Sequence, residues 1–310
     1  MISITAPAYN EAENLEELCR RITNVLKDTE YDYEILIVDN GSSDKTLDIL
    51  TELNKQDARI KYISLSRNFG HQGALLAGLN HSKGDAVISM DGDLQHPPEK
   101  IPEMLTLWKQ GYEIVFTNKR ENNNISYLRR IFTYLFYFIM SKISGLHLSY
   151  GQSDFRLLDR KVVDIICNMS ERDKFLRGIV EWVGYKKIGI DYDVSPRFRG
   201  ISKFSYLHLF SFAFTGILSF SKIPLRLFLI SGMFISLTSI IEALYIVIRF
   251  SFFAMDTTIP HGWLTITTSI YFLSGVILMA IGVLGEYIGF IFEQTKNRPE
   301  FIISHKSDRS

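Results

Sequence analysis

Along the first 120 residues, short apolar runs alternate with polar stretches whose hydrophobic positions recur at helical spacing. The runs at 2–6, 33–38, 60–65, 86–90 and 113–117 are rich in Ile, Val and Leu and predict strands. Segments near 11–28, 43–56, 71–82 and 98–110 predict the helices between them. Strand and helix in turn is the pattern of βαβ units around a mainly parallel sheet. Ligands in such sheets bind at the carboxyl ends of the strands.

Beyond residue 224 the pattern changes. Residues 227–248 carry one charge, Glu242, and residues 264–284 carry none. Each run exceeds the roughly 20 residues that cross a hydrocarbon core, so two membrane spans are expected. Lys222 and Arg226 precede the first, Lys296 and Arg298 follow the second, and 251–263 between them has neither Lys nor Arg. That asymmetry predicts a multi-pass protein of the inner (plasma) membrane with its α/β domain and tail in the cytoplasm; Arg249, at the outer end, is the exception.

Residues 204–221 also lack formal charge, but Ser205, His208, Ser211, Thr215, Ser219 and Lys222 recur every three or four positions. A narrow polar stripe on a Phe/Leu-rich helix predicts a helix lying in the membrane surface. Arg130, Thr133, Tyr137, Ser141 and Ser144 mark the same pattern over 125–144. Burial against the α/β domain is the alternative for both. The expected plan is a cytoplasmic domain over 1–200 that includes the 125–144 helix, an amphipathic juxtamembrane helix over 201–223, a two-helix transmembrane domain over 224–292 and a cytoplasmic tail over 293–310.

Composition narrows the function classes. Thirty-four basic and 34 acidic residues balance, which removes any global drive toward nucleic acid. A chain 46% hydrophobic and 22% charged is not disordered. Cys19 and Cys167 are far apart, which argues against a disulfide framework or zinc module and suits a reducing compartment. The start, Met1-Ile-Ser-Ile-Thr-Ala, has no charged segment before a long apolar run, so no cleavable signal is expected.

The sharpest chemical feature is Asp91-Gly92-Asp93 at the end of the fourth apolar run. Two carboxylates around one glycine can converge on a hard divalent cation, and Gln95 offers an amide oxygen nearby. Pro7, Tyr9, Asn10 and Glu11 follow the first run, Asp39 the second, and Arg67 and His71 the third. These turns suit the base and ribose of a nucleotide. For Asn10, Asn14, Ser42 and Ser43, capping of the following helix is an equal alternative, and His71 also fits a helix's first turn.

Together these pieces resemble the family 2 glycosyltransferases, specifically the polyprenyl-phosphate branch that includes bactoprenol glucosyltransferases and dolichyl-phosphate mannose synthases. The resemblance covers nearly the whole chain. It rests on Tyr9-Asn10-Glu11, Ser66-Arg67-Asn68-Phe69-Gly70-His71-Gln72, Met90-Asp91-Gly92-Asp93-Leu94-Gln95 and Pro97-Pro98. Further matches are Asp154-Phe155-Arg156-Leu157-Leu158-Asp159-Arg160, Phe175-Leu176-Arg177-Gly178, Trp182-Val183-Gly184, Gly200-Ile201-Ser202-Lys203-Phe204, Gly285-Glu286-Tyr287-Ile288-Gly289 and Arg298-Pro299. Two positions depart from the family: Asn40 stands where a second acid usually follows Asp39, and Ser153 where a glycine usually precedes Asp154.

The resemblance implies a GT-A (nucleotide-diphosphosugar transferase) fold carrying interfacial helices and two transmembrane helices. It implies an inverting transfer of a sugar, glucose on UDP favoured, to undecaprenyl or another polyprenyl phosphate, the lipid-linked sugar serving envelope polysaccharide modification. The implied metal is Mg²⁺ or Mn²⁺ on Asp91, Asp93 and Gln95. The expected catalytic residues are Asp93, Asp154, Arg199 and Lys203. Arg120, Arg129 or Arg130, Arg199 and Lys203 are candidate cations for the acceptor phosphate by their chemistry, a basic juxtamembrane patch drawn to anionic lipid being the alternative. Asp154 is expected to position sugar or acceptor rather than act as a base. Family analogy suggests a homotetramer. The competing readings are a processive polysaccharide synthase, which normally has more spans and a Gln-X-X-Arg-Trp-type run, and a non-enzymatic membrane scaffold or carrier.

Overall fold

All five expected strands form within two residues of their sequence limits: β1 (Ile2–Ala8), β2 (Tyr33–Asp39), β3 (Ile60–Leu65), β4 (Ala86–Ser89) and β5 (Ile114–Lys119). The computed structural model describes residues 1–119, 152–171, 174–193 and 262–307, with isolated helical positions between 228 and 248. Between the strands stand α1 (Leu15–Leu26), α2 (Thr46–Gln56), α3 (Gly70–His81) and α4 (Ile101–Lys109), the last entered through a 3₁₀ turn at Pro98–Lys100. Later come β6 (Gln152–Asp159), α5 (Arg160–Asn168), α6 (Leu176–Trp182), β7 (Lys187–Tyr192), α7 (Trp263–Thr295) and β8 (Ile303–Lys306).

The sheet is mixed rather than mainly parallel, in the order β7-β5-β6-β4-β1-β2-β3-β8. Strands β1 to β4 run parallel, and β6 enters antiparallel between β4 and β5. Its charged residues hide the strand from a hydropathy reading; Arg156 and Asp154 neutralise each other at its centre. Strand β8 adds antiparallel to β3 at the far edge, a strand the sequence reading does not anticipate.

Strand period 2 divides the core. Ile35 and Ile37 join Ile2, Ile4, Leu15, Leu18, Ile22 and Met104 under α1 and α4. Leu36 and Val38 join Ile63, Leu65, Ala74 and Ala77 under α3. Helix α3 lies hard on β1 at Gly78, where any side chain would collide with Thr5.

The chain divides into two compact units. One comprises Met1–Lys142, Leu146–Leu209 and Arg298–Ser310; the other comprises Ile143–Gly145 and Phe210–Asn297. In the second unit, α7 runs 33 residues, about 50 Å at 1.5 Å per residue. Its Phe272, Leu278, Ile288 and Phe292 are all more than half exposed. The stretch Phe272–Thr295 is the one helix among the described residues long and apolar enough to cross a membrane. The expected spans are therefore matched by one described helix; the first, over 227–248, is described only in part, and the amphipathic segments 125–144 and 204–221 lie outside the described residues.

Candidate active site

Chain order puts β2 and β3 on one side of β1 and β4 on the other, so the sheet's direction of growth reverses between β1 and β4. The carboxyl ends of those two strands flank a crevice, the usual ligand site of such sheets. Gly92 makes it narrow: a Cβ there would meet the Pro7 carbonyl oxygen at 3.0 Å. The Asp91-Gly92-Asp93 turn thereby lies against the backbone of Pro7 and Ala8, and Asp91, Asp93, Pro7 and Tyr9 are each half-buried.

The β1 and β2 loops lock onto each other. Asn10 adopts φ +55°; its N–H donates to Ser42 Oγ at 2.9 Å, and its Oδ1 accepts the Ser43 N–H at 2.9 Å. The Glu11 N–H reaches Thr46 Oγ1 at 3.1 Å, while the Glu11 carboxylate accepts the Asn14 amide at 2.5 Å. Asn10, Ser42 and Ser43 thus tie loops together, and Asn14 makes no side-chain cap on α1. These bonds explain why α1 starts four residues later than the pattern suggests.

Asp39 turns inward. It is 1% exposed, with one carboxylate oxygen accepting the Ser42 N–H and the other Ser64 Oγ–H. Asn40, the family's missing acid, bridges to the next loop: its amide donates to Asn68 and the Gly70 carbonyl and accepts the Phe69 N–H. Gly41, at φ +70°, lets the Arg67 backbone approach; a Cβ there would lie 2.5 Å from the Arg67 carbonyl carbon. Arg67 is exposed, its guanidinium 4.1 Å from the Phe69 ring centroid.

The β4–β6 side is charged. Asp154 Oδ1 accepts from Arg156 Nη2 at 2.6 Å and Arg177 Nε at 3.1 Å, and Oδ2 from Arg177 Nη2 at 2.8 Å. His71 Nε2 stands 3.6 Å from Asp154 Oδ2 and 3.5 Å from Asp91 Oδ1. Burial opposes ionisation of Asp154, but Arg177, His71 and Arg156 overwhelm it and hold the carboxyl well below its ordinary range. Removal from water likewise opposes charging of His71, and the Asp154 and Asp91 carboxylates outweigh it, raising the imidazole above its usual value.

His96, fully buried, braces the Asp91 loop. Its Nδ1 accepts the Asp91 N–H at 2.9 Å, so Nε2 carries the proton of the neutral ring and reaches Ser153 Oγ at 2.7 Å. Burial holds the ring below its ordinary pKa and hence neutral. Phe155 stacks on it at 5.3 Å. Ser153, the second departure from the family, is therefore the partner of His96. Neither His96 nor Arg177 is singled out by the sequence for a site role; a histidine before two prolines and an arginine in a helix's first turn are unremarkable until β6 brings them beside Asp91 and Asp154.

The donor set suits a hard divalent cation. Asp91 Oδ1 is buried and accepts no hydrogen bond, and Asp93 Oδ1 takes the Gln95 N–H at 3.1 Å. Among the described residues no three acidic, His or Cys side chains form a closed cage. Asp91 and Asp93 would therefore supply one edge of a coordination sphere and leave the rest to ligand oxygens. Arg120, Arg129, Arg130, Arg199 and Lys203 lie outside the described residues.

The chain has relatives among known proteins over nearly its whole length. Residues 3–166 match the model of glycosyl transferase family 2. An uncharacterized glycosyltransferase of Synechocystis is 39% identical over 98% of this chain and 94% of its own. The bactoprenol glucosyl transferase of Shigella phage SfII is 37% identical over 99% of both chains. Among solved structures, glucosyl-3-phosphoglycerate synthase from Mycobacterium tuberculosis, in complex with Mn²⁺, UDP-glucose and phosphoglyceric acid, aligns over 70% of this chain and 77% of its own at 20% identity and a TM-score of 0.48. Strands that alternate with helices, a crevice between β1 and β4 edged by Asp91 and Asp93, and full-length relatives at this identity make the chain a member of glycosyl transferase family 2.

Proposed function

We propose that this enzyme transfers a sugar from a nucleotide diphosphate to the phosphate of a polyprenyl phosphate, with inversion, at the cytoplasmic face of the inner membrane. The observation that carries it is the meeting of Asp91, His71 and Asp154 at the β1–β4 crevice. Full-length likeness to a bactoprenol glucosyl transferase supports the acceptor class and favours glucose, on UDP.

A Mg²⁺ or Mn²⁺ ion on Asp91 and Asp93, with Gln95 beside them, would neutralise charge on the departing diphosphate. The chain's own residues do the rest. The β1 and β2 loops, with Pro7, Tyr9, Asn10 and Glu11, frame the nucleotide; Asp39 holds their shape from below, and Arg67 and His71 close the third side. Asp154 stays ionised and so positions rather than accepts a proton. A strong base is unnecessary, because a phosphate monoester with a second pKa of about 6 is already an anion at neutral pH. Its oxygen attacks the anomeric carbon opposite the leaving diphosphate, which inverts the centre. Arg120, Arg129 or Arg130, Arg199 and Lys203 are assigned to the acceptor phosphate, arginine for its bidentate fork.

Two crossings suit this reading. Residues on both sides of the apolar segments belong to the α/β unit, which favours an even number of crossings. The test offers the purified full-length protein a panel of nucleotide-sugars with undecaprenyl phosphate and a divalent ion, then reads the lipid by mass spectrometry. A hexose-phosphate-polyprenol is expected; transfer only to a growing polysaccharide, or none at all, would overturn the reading.

A further inference from the structure

Residues 298–307 close against two parts of the crevice wall at once. Phe301 and Ile303 pack with Leu36, Val38, Ala74 and Ala77, and the Ser66 N–H donates to the Ile302 carbonyl at 2.8 Å. The Glu300 backbone lies over α3: a Cβ on Gly73 would meet its carbonyl oxygen at 3.4 Å. The Glu300 carboxylate receives Lys174 Nζ at 2.7 Å, with the lysine side chain only 5% exposed. Two residues beyond Lys174, the Leu176 N–H reaches Gln72 Oε1 at 3.3 Å. The next residue, Arg177, holds Asp154 through two hydrogen bonds.

Glu300 therefore joins two parts of the site: its backbone lies on the α3 turn that carries His71, and its carboxylate holds Lys174 on the segment that carries Arg177. We propose that Glu300 and Lys174 are positioning residues, through which the docked C-terminal segment sets Arg177 on Asp154 beside His71. This rests on the assignment of Asp154 and His71 to the transfer site. A buried ammonium that loses its carboxylate is an uncompensated charge, and it regains water by moving its own segment. That movement draws Arg177 away from Asp154. Both charges can instead be removed together, because well-packed apolar side chains of similar size commonly replace a buried pair without loss.

The experiment uses the full-length protein in lipid nanodiscs and the variants Glu300→Gln, Arg177→Ala, their combination, and the double replacement Lys174→Met with Glu300→Leu. Hydrogen–deuterium exchange is read on peptides covering 70–79 and 174–182. Glu300→Gln is expected to speed exchange there roughly fivefold or more, as local opening does, while peptides from β2 and β4 stay unchanged. The transfer kcat should fall roughly tenfold with donor KM nearly constant. In the Arg177→Ala background the same change should add less than about twofold, the non-additivity of residues acting through one contact. The apolar double replacement should restore most of the protection. Additive losses, uniform loosening of the whole sheet, or no change in exchange would each overturn the proposal. A wild-type protein that transfers no sugar defeats the proposed function instead, and the exchange measurements still decide what Glu300 does.

Discussion

On the β1–β2–β3 wall of the crevice, Asn10, Ser42, Ser43, Thr46 and Asn40 hold the loops through bonds between polar side chains and backbone. On the β4–β6 wall, Asp91, Asp154, Arg156, Arg177, His71 and His96 crowd within 3.6 Å of one another in a connected chain. The first wall uses its carboxylates, Glu11, Asp39 and Asp44, in hydrogen bonds that fix the shape of its loops; the second concentrates charge where a diphosphate would part from its sugar. A transferase needs both, since recognition asks for preformed contours and group transfer asks for fields aimed at developing charge. The walls should therefore fail differently when broken.

The largest effect is expected at Asp154→Asn. It leaves Arg156, 2% exposed, as a buried cation without its carboxylate, at a cost of about 3–5 kcal/mol in stability. Chemical denaturation of the wild type and variant measures it, and a loss under 1 kcal/mol would show that the two arginines do not depend on this acid.

Asp91→Asn should cost little stability, because Asp91 Oδ1 accepts no hydrogen bond and His71, its ionic neighbour, keeps the Asp154 carboxylate. Transfer should fall on the order of 10²–10³-fold, the usual loss when an electrostatic stabiliser is removed. Rates at limiting Mn²⁺ or Mg²⁺, beside donor binding with and without the ion, provide the readout. Near-normal turnover would remove the metal from this loop.

Glu34→Gln sharpens the contrast from the opposite end of the strands. Glu34 is 3% exposed, and although burial opposes its ionisation, Ser3, the Lys83 N–H and Lys61 together pull its pKa below the ordinary value. Its stabilisation is thus complete above the unfolded-state pKa of about 4.3 and fades as pH falls through the lower folded value. The variant should lose about 1–3 kcal/mol at pH 7 and progressively less as pH falls through the lowered folded-state value, with kcat unchanged. Thermal unfolding across pH checks this; an equal loss at both ends of the range would contradict it.

Ser42→Ala, on the shape wall, is the mildest change. The Asn10 N–H loses its acceptor, at about 1 kcal/mol. Donor KM should rise several-fold with kcat steady, read from steady-state kinetics; a fall in kcat instead would place this loop among the reacting groups.

The two walls also differed in how plainly the sequence announced them. Strands β1, β2 and β4 declare themselves because both faces are buried, so their apolar runs are nearly continuous between polar turns. The crevice loops follow directly, since the turns stand at the carboxyl ends. Asp91-Gly92-Asp93 is visible for the same reason. Strand β6 is not, because Asp154 and Arg156 interrupt its hydrophobicity and their mutual neutralisation appears only in three dimensions. His96 and Ser153 are separated by 57 positions, and no local spacing connects them. Strand β8 reads Ile-Ser-His-Lys, the polar composition of an edge strand with one face in water.

That edge strand also sets a timetable. Tyr62 on β3 bonds to Ser307, 245 residues later, so a ribosome must add all of those residues before β8 can join the sheet. At roughly 5–20 residues per second, β3 waits on the order of 10 s or longer with one margin open. Every emerging hydrophobic segment leaves the ribosome during that interval. Only afterwards does the strand that completes the margin appear, bringing Glu300 with it. A chain interrupted anywhere in the apolar stretch therefore yields a catalytic domain whose exposed edge invites pairing with other nascent chains.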